Sequence, residues 1–231
     1  DVKFTARSNG GHASTPVKGT PIARLSAFVN EVETHSPFRK KMLPEVSAMF
    51  TALAPYAGFG MKLVFGNLWL FGPLLKAVMP SLSAQAGAML KTTIAFTVQK
   101  GSDAYNVLPQ EAYVGANMRF IPHQGEKESL EIIKKVAGKY GLETEVLHAN
   151  DYTPPVDIHG EAFHLVEQTI ADTFPGLPSS PYVMTGATDA QFYQPICKSC
   201  IRFAPVIYGP EQMKGMHGLN ENIEYNCLPG A

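Results

Sequence analysis

The sequence predicts an α+β fold in which an antiparallel sheet carries its helices on one face. Four segments alternate apolar and polar residues with the period of a half-buried β-strand: 2–8, 92–99, 111–121 and 142–148. Two segments repeat apolar residues at helical spacing: 20–34 and 126–140. The resulting order of strand, helix, strand, strand, helix, strand is the ferredoxin-like arrangement. The intervening residues 37–90 are predicted to form an insertion.

Residues at the helix ends support both helices of this first domain. Pro21 stands in the first turn of the first helix, where its missing N–H is tolerated. Gly141 follows the second helix at the position where a left-handed C-cap belongs. Leu142–His148 is then expected to return as the last strand of a domain that spans residues 1–147.

The insertion at about 37–90 is predicted to be helical. Residues 44–56 and 68–79 have helical apolar patterns, which glycines and prolines interrupt. Lys62 and Lys76 lie within its most apolar stretch, so a membrane-spanning helix is not expected. Its apolar side chains either pack the insertion onto the sheet domain or form a surface for an apolar substrate or partner.

Residues 148–231 are predicted to form a second unit in which strands and helices alternate. Asn150–Pro155 has the two prolines and the short polar residues of a linker. A helix is expected over 161–173, and short strands are expected over 182–184 and 201–204. Such strands form part of a parallel sheet, but they are too few to complete one.

Composition excludes several classes of function. Of the 231 residues, 45% are hydrophobic and 17% are charged, which fits a globular protein with an ample core. The formal net charge of −1 gives no electrostatic footprint for nucleic acid or for an anionic membrane. Three cysteines argue against a disulfide framework and favour a reducing compartment such as the cytoplasm. The C-x-x-C pair Cys197 and Cys200 runs directly into a predicted strand, so a redox or structural-zinc role is not expected.

The first candidate for chemistry is the histidine of Gly-Gly-His-Ala-Ser at 10–14, which closes the first predicted strand and is expected to open a loop. The two glycines permit a tight turn or a close backbone approach, so that His12 is presented at the rim of the sheet. An imidazole there can donate a hydrogen bond to a developing oxyanion or take up a proton near neutral pH. On its own, the motif is interpreted by default as a surface or capping histidine.

Five further motifs give this histidine its weight, and all six follow one another in a fixed order. They are Gly-Gly-His-Ala-Ser (10–14), Asn-Leu-Trp-Leu-Phe (67–71), Asn-Val-Leu-Pro (106–109), Asn-Met-Arg-Phe (117–120), Thr-Gly-Ala-Thr-Asp-Ala (185–190) and His-Gly-Leu-Asn-Glu (217–221). Together they resemble the family of dinuclear zinc peptidases that includes aminoacylase, carboxypeptidase S and succinyl-diaminopimelate desuccinylase. Within that family, the pattern is most similar to the branch of carboxypeptidase S and the N-acyl-amino-acid hydrolases. The resemblance covers nearly the whole chain.

The resemblance implies an α/β catalytic domain that is interrupted by a lid, which is usually the dimerisation domain. Residues 1–147 match the lid, and residues 148–231 match the C-terminal part of the catalytic domain. The upstream half of that domain, with its His-x-Asp pair, its Glu-Glu pair and a further acidic ligand, has no match here. The chain is therefore expected to be a fragment of a longer protein.

The resemblance also implies two zinc ions in the complete enzyme. His217 matches one terminal imidazole ligand of one zinc. Because a zinc site needs three or four protein ligands, His217 cannot hold the metal tightly by itself. This chain alone is therefore expected to bind no catalytic zinc and to be inactive.

The remaining matches imply roles in catalysis and substrate binding. In the family, the histidine at the position of His12 reaches into the partner subunit's active site and stabilises the oxyanion formed when zinc-bound water attacks an amide carbonyl. Asn106 and Arg119 match lid residues that bind the substrate carboxylate, which an arginine fork suits. Gly186 and Thr188 match a substrate-binding loop, although Ala187 departs from the family's Gly-Gly-Thr-Asp form. Alternatively, Arg119 pairs with a carboxylate of the lid, and Asn106 forms a hydrogen bond to the backbone of its own turn.

The function implied is that of a zinc-dependent hydrolase, which acts on the amide bond of N-acyl amino acids or of short peptides with a free carboxylate. The expected partners are that substrate and a second copy of the chain, which pairs through the lid. The alternative is a non-catalytic dimerisation or interaction module with the same fold. A gene that encodes the His-x-Asp and Glu-Glu segments upstream would favour the enzyme.

Overall fold

The computed structural model describes residues 1–206 and 209–227 and shows a mixed α+β architecture, as the sequence predicts. The strands are β1 (Val2–Arg7), β2 (Gly11–His12), β3 (Thr93–Lys100), β4 (Val107–Leu108), β5 (Glu111–Arg119) and β6 (Glu143–Val146). Four of them form one antiparallel sheet in the order β3-β5-β1-β6, and β2 pairs with β4 in a separate two-stranded ribbon. The four-stranded order is the ferredoxin-like one.

The helices fall into three groups along the chain. The α-helices are α1 (Pro21–Thr34), α2 (Pro44–Leu53), α3 (Phe59–Gly66), α4 (Leu68–Leu82), α5 (Ala84–Ala88), α6 (Glu126–Lys139), α7 (Glu161–Thr173), α8 (Ala190–Tyr193) and α9 (Pro210–Gly215). Short 3₁₀ turns follow at Ala54–Tyr56 and Tyr225–Cys227. Helices α1 and α6 belong to the sheet domain, α2 to α5 form the insertion, and α7 to α9 lie in the C-terminal part.

One face of the sheet forms the main core. Strand β5 buries every second residue from Ala112 to Met118, which is the alternation expected of a half-buried strand. Helices α1 and α6 bury their apolar stripes in the same cluster. At its centre, the Phe28 ring lies 4.7 Å from the Phe4 ring and 5.6 Å from the Phe96 ring, measured between centroids. Both helices therefore lie on the same face of the sheet, as predicted.

The helix ends agree with the sequence signals. The side chain of Thr20 accepts a hydrogen bond from the amide of Ala23 and caps α1. Gly141 has φ +63°, the left-handed conformation that ends α6. The guanidinium of Arg24 donates to the carbonyls of Gly141 and Arg7, at 3.0 and 2.5 Å. This contact ties α1 to the end of α6 and to the end of β1.

The insertion is helical, as predicted, and has a core of its own. Val46, Leu75, Met79 and Leu90 are buried in a second apolar cluster, which also contains Ile121 from the end of the sheet domain. This packing joins the insertion to the sheet domain. No single helix within 1–206 and 209–227 is long and apolar enough to cross a membrane, although α3 and α4, bent by 109°, pass that test as a pair.

The C-terminal part differs from its prediction. Helix α7 has the predicted bounds, but neither 182–184 nor 201–204 forms a strand, so both strand predictions are wrong. A strand needs a neighbour that satisfies its backbone groups, and no strand is found among the described residues after β6. The linker is tied to the sheet domain, because the carboxylate of Asp151 accepts the amide of Glu126 at 2.9 Å. The boundary at 147 stays a prediction.

The position of Phe28 gives a test of the main core. We expect Phe28→Ala to lower the free energy of unfolding by about 3–5 kcal/mol, because it opens a cavity between three aromatic rings. Chemical denaturation followed by circular dichroism measures the change, and Phe28→Leu provides a milder variant. Phe59→Ala is the matched control, since Phe59 is 88% exposed, and its effect should stay within about 0.5 kcal/mol. Equal losses at the two positions would contradict the assignment of the core.

Candidate functional site

The two-stranded ribbon brings two of the predicted site residues together. Gly11 lies opposite Leu108 and His12 lies opposite Val107, and the amide of Ala13 donates to the carbonyl of Asn106 at 2.9 Å. The sequence prediction placed His12 in a loop, whereas the structure places it on a short strand. The ribbon thus fixes the backbone of His12 beside that of Asn106.

Glycine is needed at both positions that precede His12. Gly10 has φ +70° and Gly11 has φ +149°, which are conformations that other residues rarely adopt. A Cβ atom on Gly10 would also stand 2.8 Å from the Cγ atom of Gln110 and 3.2 Å from the carbonyl oxygen of Leu108. The two glycines therefore allow the chain to leave β1 and pair with β4, which begins directly after Asn106.

The imidazole of His12 is held by Ser14. Its Nδ1 atom lies 3.2 Å from the amide nitrogen of Ser14 and 2.8 Å from the Ser14 hydroxyl. Because an amide N–H can only donate, Nδ1 accepts, and the proton of the neutral ring is on Nε2. The side chain is exposed, so this Nε2–H is available as a hydrogen-bond donor. Ser14 was not predicted as a site residue, although it lies in the Gly-Gly-His-Ala-Ser motif.

The side chains of Asn106 and Arg119 have no partner among the described residues. Both are exposed, and neither makes a side-chain hydrogen bond or ion pair to any residue within 1–206 and 209–227. Arg119 ends β5, where it lies opposite Thr93. The carboxylate partner considered for Arg119 and the self-bonded turn considered for Asn106 are therefore not seen in the described part of the chain.

Arg119 lines a cavity of about 580 Å³ between the sheet domain and the C-terminal part. Gly186, Lys91 and Arg202 also line it, so residues from both parts of the chain contribute cationic or amide groups. Burial, with a smaller contribution from Lys40, lowers the pKa of Lys91. Four acidic residues, Asp1, Glu45, Asp151 and Glu167, line it as well. The apolar part of the wall includes Phe120, Ile158, Phe163, Val166, Ile170 and Phe203.

The loop at 185–189 is held by one side chain that the sequence analysis did not select. The Nε atom of Arg202 donates to the hydroxyl of Thr188 at 2.9 Å. Gly186 has no positive φ, and a Cβ atom there would meet only the Met184 side chain at 3.8 Å. Gly186 lines the cavity, whereas Thr188 is bound to Arg202 beside it.

The described residues do not form a zinc site around His217. Its side chain is exposed, its backbone has φ +56°, and its amide donates to the carboxylate of Glu221 at 3.2 Å. Within 1–206 and 209–227, no group of three or more His, Cys, Asp or Glu side chains could hold a metal ion. A stable zinc centre needs three or four such ligands, so the donor set of these residues does not fit one.

The structure therefore places the predicted site residues at separate locations. His12 and Asn106 share the ribbon, and Arg119 and Gly186 share the cavity. Thr188 and His217 do not line the cavity, and neither lies on the ribbon. No single constellation within the described residues contains all of the groups that an amide hydrolase would use.

The comparisons with known proteins agree on one family. Residues 1–145 match the peptidase dimerisation domain of the M20 family. The chain is 33% identical to an N-fatty-acyl-amino acid synthase/hydrolase of Xenopus tropicalis, over 98% of this chain and 44% of the relative. It is 25% identical to carboxypeptidase S of Saccharomyces cerevisiae, over 100% of this chain and 46% of that protein. The chain thus spans less than half the length of these relatives.

A solved structure shows the same fold. The crystal structure of an M20 family metallo-carboxypeptidase from Sulfolobus solfataricus superposes with a TM-score of 0.53, over 84% of this chain and 53% of that one. The identity between the two is 12%, so this likeness concerns the fold alone. With more than half of its residues matched to the dimerisation domain, the chain belongs to the M20 peptidase family.

Proposed function

We propose that this chain is the lid and the C-terminal part of the catalytic domain of a metal-dependent hydrolase. The substrate would be an N-acyl amino acid, or a short peptide with a free carboxylate. The observation that carries the proposal is the ribbon, which presents the Nε2–H of His12 to solvent beside Asn106. The functions of the two relatives, an N-fatty-acyl-amino acid synthase/hydrolase and a carboxypeptidase, support this substrate class.

His12 suits the role of an oxyanion donor. Hydrolysis of an amide places negative charge on the former carbonyl oxygen, and a positioned N–H stabilises that charge. The Nε2–H group has no partner among the described residues, so it is available for a ligand in another subunit. The dimerisation domain supports a homodimer in which each lid would serve the partner's site.

Arg119 and the loop at Gly186 suit the recognition of a carboxylate. A guanidinium can give two parallel hydrogen bonds to a carboxylate, and the described residues leave that of Arg119 unpaired. Lys91 and Arg202 line the same cavity, together with Asp1, Glu45, Asp151 and Glu167, so the support for carboxylate binding is the unpaired fork of Arg119 and not the overall charge of the cavity. Thr188 would then hold the loop through Arg202, and Asn106 would contribute a side-chain amide from the ribbon.

The metal chemistry would require residues that this chain does not provide. The complete enzyme would hold two zinc ions, to which His217 would contribute one ligand. A non-catalytic dimerisation module with the same fold is the second candidate, which the match to the peptidase dimerisation domain supports. The presence or absence of the upstream His-x-Asp and Glu-Glu segments in the gene would distinguish the two.

The oxyanion role predicts a kinetic defect in the complete enzyme. We expect His12→Ala to lower kcat by about 10²–10³-fold and to leave the zinc content unchanged, since the loss of one oxyanion donor typically costs that much. Steady-state kinetics with an N-acyl amino acid and metal analysis of the same samples measure both quantities.

Two matched variants accompany this experiment. His35→Ala removes another exposed lid histidine and should leave kcat unchanged. Ser14→Ala should give a smaller defect than His12→Ala, because the Ser14 amide still holds Nδ1. A near-normal kcat for His12→Ala would contradict the oxyanion role.

The incomplete donor set predicts the behaviour of the isolated chain. We expect residues 1–231 alone to bind no stoichiometric zinc and to release no amino acid from an N-acyl amino acid, because His217 is exposed and belongs to no group of three or more ligand side chains within the described residues. Equilibrium dialysis followed by metal analysis tests the binding, and His217→Ala provides the comparison. Tight zinc that depends on His217, or metal-dependent turnover, would contradict the proposal.

The apolar cavity wall predicts a preference for long acyl groups. In the complete enzyme, we expect kcat/KM for an N-dodecanoyl amino acid to exceed that for the N-acetyl form, since each buried methylene contributes at most about 0.8 kcal/mol. Phe163→Ala should reduce this preference, because Phe163 lines the cavity, whereas Leu165→Ala on the exposed side of α7 should not. Equal values for the two substrates, or a preference for acetyl, would contradict an acyl-binding role.

A further inference from the structure

The insertion exposes a large set of apolar side chains that its own core does not use. We call this set the outer apolar surface; it comprises Phe59, Leu63, Trp69, Leu70, Leu74, Val78 and Leu82. Phe59 is 88% exposed and Trp69 is 81% exposed. Isolated exposed apolar residues are ordinary, but seven on two consecutive helices indicate a contact surface.

Helix α4 shows why this exposure is unusual. Its inner side buries Leu75 and Met79 in the second core, which is what the fold requires. A helix at a protein surface normally carries polar residues on the opposite side. Here the outward positions instead repeat apolar residues at every fourth position, from Leu70 through Leu74 and Val78 to Leu82. The helix is therefore apolar on nearly all sides.

The insertion carries one acidic residue, Glu45 in the first turn of α2, and its other charged residues are basic. Between Val46 and Leu90, the only charged residues are Lys62 and Lys76. Lys40, Lys41 and Lys91 stand at its base. None of these five lysines has a carboxylate within ion-pair distance in the part of the chain that the structure describes. The chain's net charge of −1 thus conceals a segment, residues 46–90, whose only charged residues are basic.

These features suit a helix pair that lies on a lipid layer and does not cross it. Helix α4 has 15 residues, so it is about 22 Å long and shorter than the roughly 30 Å hydrocarbon core of a bilayer. The 109° bend prevents α3 from extending it in a straight line. Exposed Trp, Phe and Leu together with unpaired lysines are typical of interfacial helices.

We propose that the outer apolar surface docks the protein onto a bilayer that contains anionic lipids. The apolar side chains would enter the boundary between head groups and acyl chains, while Lys62 and Lys76 would contact the head-group phosphates. A second copy is a poorer occupant, because the same surface of its insertion would bring Lys62 and Lys76 opposite each other, and residues 46–90 contain no carboxylate to pair with them. This inference is independent of the proposed hydrolysis, although a long-chain N-acyl amino acid would concentrate in the same lipid phase.

Vesicle binding tests the proposal. The protein, in the full length that its gene encodes, is sedimented with vesicles of 70:30 phosphatidylcholine and phosphatidylglycerol or of phosphatidylcholine alone. We expect stronger binding to the anionic vesicles, and Trp69→Ser with Leu74→Ser should weaken it by at least about tenfold. Lys62→Glu with Lys76→Glu should remove the preference for anionic vesicles. The matched control is Leu177→Ser with Leu219→Ser, two exposed leucines outside the insertion, which should bind as wild type.

Fluorescence locates the contact, because Trp69 is the one tryptophan in these 231 residues and the difference between wild type and Trp69→Phe isolates its emission in the full-length protein. Emission should shift to shorter wavelength on addition of anionic vesicles, and this shift should be absent in Trp69→Phe. Failure of the wild type to bind, or undiminished binding of the Trp69 and Leu74 variant, would overturn the proposal. The proposal would also be overturned if the Trp69 and Leu74 substitutions changed only the oligomeric state, measured by sedimentation of the protein without vesicles. Hydrolysis of a short-chain substrate is measured in the absence of lipid, so that a loss of vesicle binding can be distinguished from a loss of the proposed activity.

Discussion

The pairing of β1 with β5 determines the position of the candidate site. Its register places Val2 opposite Ala116 and Arg7 opposite Glu111. The pairing continues past the end of β1, where the amide of Ser8 donates to the carbonyl of Gln110 at 2.8 Å. Beyond that point the chain forms the ribbon that sets His12 opposite Val107. A slip of one residue would turn the core face of β1 to solvent, so hydrophobic burial by the sheet also fixes the histidine.

The features of the fold that the sequence predicts are those with a local cause. Helix α7 and the ends of α1 and α6 follow from apolar periodicity, a proline in a first turn and a glycine after a last turn. The two-residue strands of the ribbon are too short to show a period, so His12 was expected in a loop. The segments at 182–184 and 201–204 have strand-like composition, but a strand also requires a partner that composition cannot supply.

The same distinction applies to the candidate site. Motif order identified His12 and Asn106, but their proximity depends on a backbone contact between segments more than 90 residues apart in sequence. Arg119 and Gly186 likewise meet at one cavity only because the C-terminal part packs beside the sheet domain. The positioning residues Ser14 and Arg202 were missed for a related reason. Each acts through a hydrogen bond to another side chain, which neither periodicity nor spacing reveals.

The insertion shows that one apolar segment can satisfy two requirements. Leu75 and Met79 must be apolar because they are buried, and replacing them would open a cavity. Trp69 and Leu74 are under no such constraint, since a polar side chain at either position would leave the second core intact. Exposing them gains nothing for folding, because the hydrophobic effect stabilises only surface that is removed from water. The fold therefore accounts for the inner side of α4, whereas its outer side is accounted for by the proposed docking onto a lipid layer, which would remove these side chains from water.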